Sequence, residues 1–258
     1  MFLQPAFKIT RILLIGAVVF ICLWSMVNAQ KKLSAKEILD RVDDLFRGSS
    51  SHGKMSMTIK TTHWTRTLTA EIWSKGKDDS LIRILAPKKE EGTATLRAGN
   101  NIWNYLPKVN RVIKLPSSMM ASSWMGSHFT NDDLVKESRM ADDYTFEITF
   151  EGVRDNREVI EVTCYPKPEA AVVWGKILVR VDKKELLPTE ILYYDEDMNL
   201  ARTMIFSDIG ELGDRRLPRV MKVIPADKPD EYTLVKYDEM DFNVNLSDSL
   251  FSIRNLQR

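Results

Sequence analysis

From residue 53 onward, apolar and polar side chains alternate with a period of two, and no other feature of this sequence constrains the fold as strongly. Met55, Met57 and Ile59 alternate with Ser56, Thr58 and Lys60, and Leu68, Ala70 and Ile72 with Thr67, Thr69 and Glu71. Tyr144, Phe146, Ile148 and Phe150 repeat the pattern, as do Ile177, Val179 and Val181, then Tyr232 and Leu234, then Met240, Phe242 and Val244. Side chains alternate across a strand, so each run presents one apolar and one wet face, which is the signature of antiparallel pairing. Turn formers separate the runs at residues 76–79, 99–101, 107–110, 152–156, 195–197 and 210–214. The spacing predicts about eleven or twelve strands in up-and-down order. No Pro-, Gly- or Ser-rich linker interrupts them, so residues 30–258 read as a single domain. A sheet of that width must curl or split. The expected class is mainly β (α+β): one strongly curved antiparallel sheet, an open half-barrel, with an N-terminal helix and short helices packed on its concave side.

Residues 1–29 read as a separate object. Lys8 and Arg11 precede an uncharged apolar run, residues 12–27, which ends in Val27-Asn28-Ala29. These are the three parts of a secretory signal peptide, with cleavage expected after Ala29. The run is shorter than the roughly 20 residues that span a bilayer. Cys22 lies inside it after the bulky Ile21, which argues against acylation there. Loss of residues 1–29 changes the net charge from +1 to −1 and leaves Cys164 as the only cysteine, so no internal disulfide is available and the fold must rest on its core. The expected location is periplasmic, and the near-neutral charge gives no general field for nucleic acid. After the signal, Ser34 and Glu37 form a capping box, Ile38, Leu39, Val42, Leu45 and Phe46 follow at helical spacing, and Gly48 stops the helix.

Residues 116–139 break the alternation. Met119, Met120, Trp124, Met125 and Phe129 crowd together with no charge among them. Thr130 then starts a short helix whose first turn carries Asp132 and Asp133, acidic groups suited to the positive end of a helix dipole. Methionine is flexible and polarizable and is over-used on promiscuous apolar surfaces. The insertion either plugs a core or lines and lids a cavity. On residue chemistry alone the plug is favoured, since apolar clusters are more often core than site.

Constellations for catalysis are missing. His52, His63 and His128 fall in no metal-binding spacing, and no metal or cofactor is expected. Gly126-Ser127-His128 hints at a nucleophile, but it lacks the Gly-x-Ser-x-Gly elbow and the βαβ context that would present one. Cys164 lies in the strand-like run 159–165 and reads as a small buried hydrophobe. The chain is expected not to be an enzyme.

The run Met125-Gly126-Ser127-His128-Phe129-Thr130-Asn131-Asp132-Asp133-Leu134-Val135-Lys136 resembles a signature of the outer-membrane lipoprotein-sorting family, the LolA-like proteins. The helix opening Ala35-Lys36-Glu37-Ile38-Leu39, the hairpin pieces Trp103-Asn104-Tyr105-Leu106-Pro107 and Arg111-Val112-Ile113, and the closing pieces Leu217-Pro218-Arg219 and Leu250-Phe251-Ser252 match in order. The resemblance implies an open half-barrel with helices across its mouth and an apolar concave cavity that shelters lipid or lipoprotein acyl chains. It turns residues 119–129 from plug to lid. It implies cavity or lid roles for Met119, Met120, Trp124, Met125, Phe129, Trp103 and Tyr105. It also implies transfer towards the outer membrane, between an inner-membrane exporter and an outer-membrane acceptor. The alternatives are a docking module of an export complex and an acyl hydrolase using Ser127 and His128.

Overall fold

In the computed structural model, residues 33–136, 140–170 and 172–257 are described. The signal-peptide reading of residues 1–29 falls outside them. Helix α1 spans Ala35–Asp44, buries Ile38 and Leu39, and ends where Gly48 takes a left-handed φ of +63°. A first run of strands follows: β1 Ser50–Lys60, β2 Thr65–Lys75, β3 Asp79–Ala86, β4 Ala94–Ala98, β5 Asn101–Leu106 and β6 Arg111–Lys114. Short helices α2 Asp133–Lys136 and α3 Met140–Asp143 lie in the insertion. The second run is β7 Tyr144–Arg154, β8 Arg157–Pro166, β9 Lys176–Asp182, β10 Pro188–Tyr194, β11 Leu200–Leu212, β12 Arg215–Pro225 and β13 Tyr232–Phe242, before the terminal helix α4 Ile253–Leu256.

The strands form one antiparallel sheet in the order 6-5-4-3-2-1-13-12-11-10-9-8-7, curved into an unclosed half-barrel. Thirteen strands are present among the described residues, slightly more than the eleven or twelve that the alternation suggests. The up-and-down order holds within each run, with one departure. β1 pairs with β13, for example Met57 with Val235, and this welds the two runs at the centre of the sheet. Strands β6 and β7 are therefore the two free edges. The connection between them passes from one edge of the sheet to the other, and its described parts, residues 115–136 and 140–143, add no strand to the sheet.

Directly opposed residues share a face in an antiparallel pair. Register therefore sorts the side chains. Met55, Met57, Leu68, Ala70, Ile72 and Ile82 share the inner face, while Trp73, Leu81, Leu96 and Trp103 form a cross-strand row on the outer face. One bulge changes a sequence expectation. Lys54 opposes Glu239 but Met55 opposes Tyr237, so Asp238 is an extra residue and the phase of β13 flips. Thr233, Val235 and Tyr237 consequently face inward on one side of the bulge, and Met240 and Phe242 on the other. Tyr232 and Leu234, expected to continue the buried row, lie on the opposite face.

The outer face over β3, β4 and β5 is covered by the C-terminal segment. Phe251 and Leu256 pack with Leu81, Ala94 and Leu96, and half-buried Trp73, Trp103, Tyr105, Val112, Leu246 and Leu250 surround them. Arg83 donates to the Asn255 carbonyl at 3.0 Å and Lys75 to the Leu246 carbonyl at 3.0 Å, fixing that cover to the strands.

Candidate functional site

The inner face is not filled. A cavity of about 210 Å³ lies between the sheet and a roof made of α1 and the insertion. Its floor includes Met55, Met57, Ile72, Ile82, Phe206, Met221, Val235, Tyr237 and Met240; its roof includes Leu39, Val42, Phe46, Trp124, Phe129, Leu134 and Met140. Five methionines and the rings of Phe46, Trp124, Phe129, Tyr193, Phe206 and Tyr237 line it. That composition offers adaptable, polarizable apolar surface without a fixed shape.

Polar bonds pin the roof at separate points. Trp124, 4% exposed, donates its indole N–H to Thr95 Oγ1 at 3.1 Å, and Thr95 donates on to Asn104 Oδ1 at 2.8 Å. Arg66 on β2 donates to the Met125 carbonyl. This holds the tight turn in which Met125 and Gly126 both take positive φ, +53° and +73°. The His128 amide donates to Thr233 Oγ1 at 2.9 Å, and the His128 ring contacts Thr233 Oγ1 at 2.8 Å and Glu231 Oε2 at 3.5 Å. Glu231 also accepts from the Thr62 amide and hydroxyl at 3.0 and 2.8 Å. Those Thr62 donors, with help from His128, hold its carboxyl down at about 2.

The strongest pin is Arg202 on β11. Its guanidinium grips Asp133 through two bonds of 2.6 and 2.7 Å and donates to the His128 carbonyl at 3.2 Å. It lies 4.2 Å from the Tyr193 ring centre and 4.5 Å from that of Trp174, with its side chain 5% exposed. Asp133 meanwhile exchanges bonds with Thr130: the Thr130 amide donates to its carboxylate at 2.7 Å, and its own amide donates to Thr130 Oγ1 at 3.2 Å. This is the helix start expected from the sequence, and the same carboxylate also anchors the roof to the sheet.

The structure brings two of the candidate side chains, Trp124 and Phe129, to the cavity wall. The others are elsewhere. Met119 is 46% exposed, and Met120 packs with Ile102, Leu115 and Leu134 beside the cavity. Met125 contributes its carbonyl to the Arg66 pin. Trp103 and Tyr105 are on the outer face under the C-terminal segment, because Ile102 and Asn104 take the inward positions of β5. Sequence reasoning missed the floor entirely. Met55 and Met57 read only as apolar strand residues and Phe46 only as part of a helix stripe, while Val235 and Tyr237 were not singled out at all.

The Ser127 and His128 side chains do not form a nucleophile and base. The Ser127 hydroxyl, 5% exposed, donates to the Trp124 carbonyl at 2.7 Å and accepts from the Phe129 amide at 3.2 Å. Cys164 is fully buried in β8, and burial pushes its thiol up to about 12, which keeps it protonated and unreactive. Among the described residues, no cluster of His, Cys, Asp and Glu is arranged to hold a metal ion, and no helix is long and apolar enough to cross a membrane.

Comparison with known proteins adds the following. A family model described as "Uncharacterized protein" matches residues 76–258. No curated protein matches the chain. Among solved structures, a DUF1329 family protein from Desulfovibrio piger superposes with a TM-score of 0.78 at 23% identity, over 86% of this chain and 97% of that one. An outer membrane lipoprotein-sorting protein domain from Vibrio parahaemolyticus gives 0.76 at 22% identity, over 87% and 100%. A LolA superfamily protein from Nitrosomonas europaea gives 0.73 at 19% identity, over 87% and 100%. At these identities the likeness is one of fold.

Proposed function

We propose a function from the premise that this chain belongs to the family described as "Uncharacterized protein", whose model spans residues 76–258, built on the fold that lipoprotein-sorting proteins share. The protein is a non-enzymatic carrier that binds lipid, or the acyl chains of lipoproteins, in the inner-face cavity and moves them towards the outer membrane. The observation that carries this reading is a hollow, apolar inner face beneath a roof held by polar pins. A structural core would be packed to the density of an organic crystal; this space is bounded by flexible methionines and left open. The signal-peptide pattern at residues 1–29 supports a periplasmic location. An inner-membrane exporter and an outer-membrane acceptor are the implied partners.

The energetics suit a carrier. Each CH₂ buried is worth about 0.8 kcal/mol, so a chain of modest length is held firmly in water. Opening the roof breaks localized bonds and exposes the ligand, so release needs no nucleotide or metal in the carrier itself. The engagement of the Ser127 hydroxyl with the Trp124 carbonyl supports a binding role over acyl hydrolysis.

The test is direct. Protein exported to a bacterial periplasm and purified without detergent is extracted with organic solvent and analysed by mass spectrometry. A stoichiometric acyl lipid is expected, and it should disappear in Phe129→Asp while far-UV circular dichroism stays unchanged. A stable protein that comes out lipid-free and takes up no added lipid would overturn the carrier reading.

A further inference from the structure

The cavity is amphipathic along its length, and this polarity carries an inference about what it holds. At one end Ser51, Ser74 and Ser80 stand opposite one another on β1, β2 and β3, with Ser51 and Ser74 hydroxyls 2.7 Å apart. Asp43 and Arg47, from the end of α1 and the turn after it, line the same cavity. Met57 is six residues farther along β1 than Ser51, about 20 Å at a strand rise of roughly 3.3 Å per residue. That far end is apolar except for Asp133, whose carboxylate is already satisfied by Arg202. Met57 pairs with Val235, and Phe129 roofs it next to the His128 contacts with Thr233.

The Asp43 carboxylate is 4.0 Å from Arg47 Nε and 3.8 Å from Lys77 Nζ, so Arg47 is in ion-pair range of it but beyond hydrogen-bond distance. Asp44 is nearby but lies 3.7 Å from Arg215, and Asp133 is taken by Arg202. Asp40 is paired with Lys36 at 2.6 Å. Among the described residues the Arg47 guanidinium makes no hydrogen bond, although its side chain is only 19% exposed. A guanidinium in that setting presents a planar fork of donors suited to anionic oxygens. Serine hydroxyls on the facing strands can add further donors.

We propose that the cavity takes an amphiphile with an anionic headgroup, its acidic oxygens at Arg47 and the serine row and its acyl tail pointing towards Phe129. The inference rests on the carrier reading and specifies the ligand's charge and direction. Carboxylate and phosphate heads share the necessary chemistry.

Calorimetric titration of the delipidated protein with four single-chain probes tests it: palmitate, palmitoyl lysophosphatidylglycerol, monopalmitoylglycerol and hexadecyltrimethylammonium. Both anionic probes should bind about tenfold or more tighter than the neutral one, the gain expected from one hydrogen bond to a charged group, and the cationic probe weakest. Comparison of palmitate with the lysophospholipid tells a carboxylate site from a phosphate site. Arg47→Gln should erase the anionic preference, bringing palmitate and the lysophospholipid to within about twofold of monopalmitoylglycerol. Equal binding of anionic and neutral probes would overturn the headgroup assignment alone, as would an Arg47→Gln variant that weakens all four alike. Failure of all four to bind would overturn the carrier reading beneath it.

Discussion

Each face of the sheet carries an apolar patch, and the two are covered in opposite ways. On the outer face, Leu81, Ala94 and Leu96 are sealed by Phe251 and Leu256 in direct contact, a small solid core. On the inner face, a comparable set of Met, Ile, Phe and Tyr side chains faces a space of about 210 Å³. The difference lies in how the cover is attached. The C-terminal segment lays its apolar side chains directly on the strands, with polar bonds from Arg83 and Lys75 beside them. The insertion is held by polar pins at Thr95, Arg66, Thr233 and Arg202, which fix the roof in place without filling the room below it. Hydrogen bonds and ion pairs set a distance, whereas apolar packing removes it.

The largest effect should come from the solid face. Phe251→Ala is expected to cost about 3–5 kcal/mol, because it removes a buried ring and leaves a cavity that its neighbours only partly fill. The matching truncation on the hollow face, Phe206→Ala, enlarges a space that already exists and should cost well under half as much. Urea unfolding of both variants, followed by tryptophan fluorescence, checks the pair. Equal losses would mean that the inner face is as tightly packed as the outer one.

The second effect concerns the pins. Removing one partner of a buried ion pair costs about 3–5 kcal/mol when the other charge has no route to water. Asp133 lies at the cavity wall and can rehydrate once the roof loosens. Arg202→Ala should therefore cost less in global stability, about 2–3 kcal/mol, and show itself chiefly in hydrogen exchange. Amides of residues 122–133 should lose protection while those of β3 and β4 keep theirs. Uniform loss of protection through the sheet would show that the insertion is an integral part of the core.

Much of this organisation was legible in the sequence. The period-two runs located the strands, and the turn residues separated them; Asp155 and Asn156, for instance, both adopt positive φ in the tight β7–β8 turn. The break at residues 116–139 marked the roof. Two things were not legible, for physical reasons. Pairing of β1 with β13 joins residues as far apart in sequence as Ser51 and Phe242, and local pattern carries no record of it. An inward-facing methionine also looks the same in sequence whether it meets another side chain or empty space. Trp124 and Phe129 were found because they lie in the irregular segment, and Met57 and Tyr237 were missed because they lie in regular ones. Trp103 and Tyr105 were placed on the wrong face because aromatic content alone does not tell inside from outside; the parity of β5 does.

The pH dependence of the pins gives a third, smaller test. The Glu231 carboxyl titrates near 2 in the folded protein, against an ordinary value of 4.5, because the Thr62 donors favour its charged form. A group depressed in this way contributes stability that is fully present above pH 4.5 and is lost as pH falls towards 2. Acid titration of the native protein should therefore loosen the His128 side of the roof within that window, and Glu231→Gln should flatten that part of the curve. The outer cluster of Leu81, Ala94, Leu96, Phe251 and Leu256 is itself apolar, so its packing should change less over the same range. An unchanged acid limb in Glu231→Gln would remove Glu231 from the set of pins.

The smallest effect separates function from stability at the cavity's polar end. Burial raises the Asp43 carboxyl above its ordinary 3.8, and this outweighs the opposing pull of Arg47 and Lys77. A raised carboxyl works in the opposite sense to Glu231: it costs stability once pH rises above 3.8 and costs nothing when the group is protonated in both states. Asp43→Asn should accordingly raise the melting temperature slightly at pH 7 and leave it unchanged below pH 3.8. A residue that strains the fold at working pH is expected where binding, not packing, sets the requirement. The same variant releases Arg47 and Lys77 from their shared carboxylate, so it should also strengthen palmitate binding. Stabilisation without any change in palmitate affinity would leave Asp43 as a packing defect of α1 and detach it from the ligand end of the cavity.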